Sequence, residues 1–174
     1  MEKFAFIIHP LSIHDMAHVS PVLKFIPDSW LESALKLKKP FQVSHITGIK
    51  SPYAEAEGWF IGCPLTSKQM VELPEEFVMD RIIESGKIAQ ELGAKVVGLG
   101  AFTSIVGDAG ITVAKNLDIA VTSGNSYTVA TALEGTREAV RLMGKDLATA
   151  HVTIVGASGS IGAACTRILA REAK

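Results

Sequence analysis

The spacing of apolar and polar positions changes period several times along this chain, and each change marks an element. Phe4 to Ile8 is a short apolar run of buried-strand type, stopped by Pro10. Ser12 followed by Asp15 has the spacing of a helix start, with the carboxylate able to accept a bond back. Asp28 is placed to cap a second helix, Ser29 to Lys38, in which Leu31, Ala34, Leu35 and Lys38 recur at helical spacing. Pro40 closes it. From Phe41 to about Ile49 the positions alternate as in a strand, Ser51-Pro52 turns the chain, and Glu57 to Cys63 reads as another strand. Those two strands are compatible with a hairpin, which would make the sheet mixed rather than purely parallel.

The period then lengthens. A long helix is predicted from about Pro74 to Leu92, with Val78, Ile82, Ser85, Ala89 and Leu92 on one face and Gly93 at its end. A buried strand follows at Lys95 to Leu99, then a short helix from Ile111 to Leu117 and a strand from Ile119 to Thr122. Ser126 to Met143 is helical, with Val129, Leu133, Thr136, Val140 and Met143 on one stripe, and Gly144 stops it. Val152 to Val155 is again of strand type, and a helix-compatible stretch runs from Ser160 to Lys174. Alternating strands and helices predict an α/β fold: a layered N-terminal domain with a largely parallel sheet, about residues 1–148. Residues 149–174 are expected to be the first βα unit of a truncated Rossmann domain.

Composition narrows the classes. The chain has 174 residues, 48% of them hydrophobic and 20% charged, as in a globular domain with a well-supplied core. A net charge of −1 with no basic cluster points away from nucleic acid and anionic membrane surfaces. No apolar run approaches the ~20 residues of a membrane span, and the apolar stretch before Pro10 is too short for a signal peptide. Two cysteines, Cys63 and Cys165, make no disulfide framework, so a cytoplasmic setting is the expectation. His14 and His18 stand four apart, yet no second-helix ligand is evident and no metal site is expected.

Three glycine- and hydroxyl-bearing loops at strand ends are the candidates for chemistry. In Gly156-Ala-Ser-Gly-Ser-Ile-Gly162, glycines allow a tight turn and close approach of backbone to a pyrophosphate, which sits on the helix N-terminus. Gly156, Ser158, Gly159, Ser160, Ile161 and Gly162 are therefore the expected contacts of a cofactor, NADP or NAD. The loop Gly98 to Gly110 offers Thr103 and Ser104 to an anion or carbonyl, or equally to local helix capping. Thr122 to Thr128 offers Asn125 and Ser126 to a substrate. No catalytic residue can be assigned. Cys63 and Cys165 read as packing residues, and Asp108 and Lys115 as exposed charge.

Leu99-Gly-Ala-Phe-Thr-Ser-Ile105, Thr122 to Thr128 and Val155 to Gly162, in this order, resemble the aldehyde-forming long-chain acyl-[acyl-carrier-protein] reductases. They also resemble predicted amino-acid or shikimate/quinate-type dehydrogenases. The resemblance implies a substrate-side domain followed by an NADPH-binding Rossmann domain, with a small-molecule or acyl-carrier-bound substrate. It also implies a later cysteine that carries the acyl group, matched by neither Cys63 nor Cys165. The expectation is thus the front part of an NAD(P)H-dependent oxidoreductase acting at a carbonyl carbon, with reduction of an acyl thioester to an aldehyde as one such reaction. A dehydrogenase without covalent intermediate and a non-catalytic binding or assembly module are the alternatives. The chain by itself is expected to be inactive. Because a lone strand and helix cannot bury their apolar faces, they are expected to pack on the N-terminal domain or on another copy of the chain, the latter making a homo-oligomer.

Overall fold

The computed structural model describes residues 1–13, 15 and 25–174. The pair His14 and His18 lies outside the described residues. The chain forms two compact units, Met1–Ser123 and Gly124–Lys174.

The first unit is an α/β layer around a five-stranded, mostly parallel sheet. Its strands are β1 (Glu2–Ile8), β2 (Phe41–Lys50), β3 (Glu55–Gly62), β4 (Val96–Leu99) and β5 (Ala120–Thr122), in the order β2-β3-β1-β4-β5. The apolar β1 takes the centre, parallel to β3 on one side and to β4 on the other. β5 extends the parallel set, and β2 runs antiparallel to β3 at the edge. The hairpin expectation holds. Lys50 faces Glu55, and the Ser51 hydroxyl closes the turn by accepting the N–H groups of Tyr53 and Ala54.

Register decides which residues become core. Ile7 pairs with Ile61 and with Leu99, and Ala5 with Trp59 and Val97, so these side chains share one face. All are buried. Helix α3 (Glu75–Glu91) joins that core through Val78, Ile82, Ser85 and Ala89, the stripe its spacing predicts. Pro74 occupies its N-cap, and Glu75 and Glu76 in the first turn favour the positive end of the dipole.

Two elements of the first unit differ from expectation. Helix α1 (Asp28–Leu37) has Pro27 at its N-cap with no side-chain cap, so Asp28 is a first-turn carboxylate instead. Helix α2 (Ser67–Glu72) is an addition. Thr66 Oγ1 accepts the Gln69 N–H at 3.2 Å, and Gln69 Oε1 accepts the Thr66 N–H at 3.1 Å. Gln69 Nε2 also donates to the Glu32 carbonyl at 2.8 Å, tying α2 to α1. The Thr-x-x-Gln spacing is a capping-box signal, although a six-residue helix is too short for hydrophobic periodicity to reveal. Helix α4 (Ile111–Lys115) completes the unit.

The second unit pairs α5 (Asn125–Leu142) with α6 (Ser160–Leu169). Leu133, Cys165 and Leu169 form its small core, with Val129, Val152, Ile154, Ile161 and Ile168 around them. Arg137 grips Glu172 through two bonds, Nε at 2.9 Å and a terminal nitrogen at 2.6 Å. The strand expected at Val152–Val155 is absent. A strand needs a neighbour for its backbone groups, and this segment has none in its own unit. Val152 and Ile154 find cover against the two helices instead. No helix of the described residues is long and apolar enough to cross a membrane.

Candidate functional site

β1 and β3 end in register, Ile8 beside Gly62, and each is followed by one residue and a proline: His9-Pro10 and Cys63-Pro64. The Cys63 N–H donates to the Ile8 carbonyl at 2.8 Å as the last rung. Proline has no N–H to carry the ladder further. Beyond that rung a cavity of about 280 Å³ opens, walled chiefly by Ile8, Leu35, Phe41, Val43, Gly62 and Pro64. It lies at the carboxyl ends of parallel strands, where open α/β sheets collect ligands. Four further groups border it: His9, Asp15, Lys38 and Cys63.

Three of these four are already committed. His9 Nε2 accepts the Phe102 N–H at 3.2 Å, while Nδ1 lies 3.0 Å from the Pro10 carbonyl. Both contacts are satisfied together by one neutral tautomer, with the proton on Nδ1. Burial pushes the His9 pKa down, in the direction that keeps the ring neutral. The same bond bridges the ends of β1 and β4. Cys63 is fully buried, and that burial pushes its thiol up to about 12, so it is no nucleophile at neutral pH. The Asp15 carboxylate accepts the Ser12 N–H at 2.8 Å, as the sequence spacing implies. Lys38 places its ammonium 3.8 Å from the centre of the Phe41 ring.

The residues expected from sequence lie elsewhere. Thr103 is buried and donates to the Gly100 carbonyl at 2.8 Å, and Ser104 donates to the Ala101 carbonyl at 2.7 Å. Both hydroxyls thus close the single 3-10 turn Ala101–Ser104. In the second unit, Asn125 opens α5 and donates through Nδ2 to the Ser160 hydroxyl at 2.9 Å, joining the starts of α5 and α6. Ser126 is exposed on α5. In the glycine turn, Gly156 takes φ +79° and its carbonyl accepts the Gly159 N–H at 3.0 Å. That carbonyl also sits where a Cβ on Gly162 would have to be, so the turn folds back on the first turn of α6. Ser158 is exposed and Ile161 belongs to the small core. The cavity residues were missed, although strand-x-Pro occurs twice and was a usable signal.

Two other polar clusters lie in the first unit. A cleft of about 450 Å³ is bordered by Glu75, Glu76, Asp80 and Asp108. Asp108 caps α4, accepting the Thr112 N–H at 2.9 Å and its hydroxyl at 2.7 Å. These bonds hold its carboxyl below the usual range. On the sheet, Glu57 bridges Lys3 and His45, each at 3.2 Å, and His45 stacks on Trp59. The Glu57 carboxyl is lowered, first by its bond to Lys3. Among the described residues, no group of three or more His, Cys, Asp or Glu could hold a metal ion.

No family model matches the chain. It is 29% identical over 179 residues, 96% of its length, to a protein of Serratia sp. named Aminotransferase PigE. The chain spans only 20% of that relative's length. This likeness is distant, and it lends no support to the acyl-[acyl-carrier-protein] reductase or dehydrogenase resemblance.

The relative's name overturns the central functional expectation. An aminotransferase moves an amino group, whereas the sequence reading required hydride transfer by an NAD(P)H-dependent oxidoreductase. The expected NADP or NAD cofactor falls with it. The dehydrogenase and non-catalytic alternatives gain no support either. Transamination in general relies on pyridoxal phosphate bonded to a lysine. Among the described residues no lysine is buried, and the nearly apolar cavity beside Lys38 has no cradle for a phosphate. The described residues do not fit that cofactor.

Proposed function

We propose that this chain is part of a larger transferase-class protein and receives the apolar body of a small-molecule substrate in the cavity between β1, β3 and α1. The carrying observation is the cavity itself: apolar, concave, and at the carboxyl ends of β1 and β3. The likeness to a protein named an aminotransferase supports the class, and the fifth of that protein which the chain spans supports a larger whole. The amino-transfer chemistry is then assigned outside the described residues. Self-association through the second unit belongs to the same reading, because its core is small and Val155 is 95% exposed.

Methyl-detected NMR of the full chain, titrated with hexanol, tests the pocket. Shifts should concentrate on Ile8, Leu35 and Val43, and Val43→Trp, which adds bulk at a half-exposed rim position, should abolish them. Shifts spread over the surface, or unchanged by Val43→Trp in a folded protein, would remove the cavity from consideration.

A further inference from the structure

We infer that the cavity at the ends of β1 and β3 selects an anionic ligand, a compact monocarboxylate, and that Lys38 reads its charge. This rests on the proposed reading of that cavity as the ligand site. The argument is one of elimination among the groups that border it. His9 is neutral and its two nitrogens are both engaged, so it offers neither charge nor a free donor. The Cys63 thiol keeps its proton at neutral pH. The walls contributed by Leu35, Phe41 and Val43 are apolar.

Among the described residues two charges remain, Asp15 and Lys38, and they would choose opposite ligands. Asp15 already accepts a backbone N–H at 2.8 Å, which stabilises the carboxylate without any cationic ligand. Among the described residues Lys38 forms no ion pair, and its recorded side-chain contact is the face of Phe41 at 3.8 Å. A ring face attracts the cation electrostatically but satisfies none of its three N–H donors in the directional way an oxygen does. The ring therefore holds the ammonium beside the cavity, with no protein oxygen among the described residues taking its donors. A carboxylate on a short apolar body matches that arrangement, head on Lys38 and body against Val43 and Leu35. The charge-assisted bonds would supply selectivity and the walls the affinity.

The test is a ligand-observed NMR titration of the full chain at pH 7.5 and low salt, with hexanoate, hexanol and hexylamine as probes. Hexanoate is expected to bind about fivefold tighter than hexanol, a modest preference because Lys38 is solvent-exposed. Lys38→Met should erase that preference while leaving hexanol unchanged, and Lys38→Arg should keep it. Raising the salt should shrink it. Equal binding of hexanoate and hexanol by the wild-type chain would overturn the charge assignment and leave the pocket standing. Tightest binding of hexylamine would transfer selectivity to Asp15 and overturn the inference. Failure of all three probes to bind would bring down the pocket and this inference together.

Discussion

Replacing Gly100 by alanine is expected to destabilise the first unit by about 2 kcal/mol, although its backbone is ordinary. Gly100 sits at φ −95°, ψ 140°, where any residue is comfortable, so strain makes no contribution. The obstacle is steric. A Cβ there would stand 2.6 Å from the Ile7 carbonyl oxygen, which must retreat by about 0.8 Å to reach ordinary contact at 3.4 Å. That oxygen also accepts the Gly100 N–H at 3.1 Å. Losing the bond costs about 1 kcal/mol, and forcing a group into a packed site costs roughly 1–3 kcal/mol. Alanine returns about 0.4–1 kcal/mol by restricting the unfolded chain.

Gly98→Ala is the control, two residues earlier. Its Cβ would meet the Phe6 ring, but that ring is 44% exposed and can swing aside, so a cost below about 1 kcal/mol is expected. Urea unfolding followed by tryptophan fluorescence reports on the right unit, since Trp59 is buried in its core and Trp30 is exposed. Equal denaturant slopes are required for the comparison. A Gly100→Ala protein within about 0.5 kcal/mol of wild type, or a Gly98→Ala protein that is the weaker of the two, would refute the reasoning.

Two further outcomes follow from titratable groups at the cavity. The folded pKa of His9 lies below its ordinary 6.5, so the unfolded chain binds its proton first. Its contribution to stability should be complete above pH 6.5 and decline as pH falls from there toward the depressed folded value. His9→Gln should flatten that part of the stability profile, and an unaltered profile would show that His9 is not its source. With the Cys63 thiol pushed up to about 12, only about one molecule in 10⁴ carries its thiolate at pH 8, and native iodoacetamide labelling should be at least a thousandfold slower than in urea. Mass mapping that finds Cys63 modified at the unfolded rate would contradict its burial.

The difference between legible and illegible features follows physical range. Period-two and period-3.6 patterns are properties of neighbouring residues, so β1, the β2–β3 hairpin and the α3 stripe could be read directly. So could the mixed sheet, because a short link between strands forces antiparallel pairing. Val152–Val155 has the composition of a strand but no partner, and composition cannot supply one. The glycine turn shows the same gap. Its spacing predicts a strand, a turn and a helix, and the structure has the turn and α6 without the strand. The cavity was invisible for the opposite reason, since Ile8, the 35–43 segment and Gly62 are separated in the chain and are brought together by the β1–β3 and β2–β3 registers. Local periodicity carried the long strands and helices, the buried stripe of α3 and the α/β class, but neither the six-residue α2 nor the failure of Val152–Val155 to pair. Only the three-dimensional packing set which strand ends stand together, which polar groups are spent on the backbone, and that Asp15 and Lys38 both border the apolar cavity.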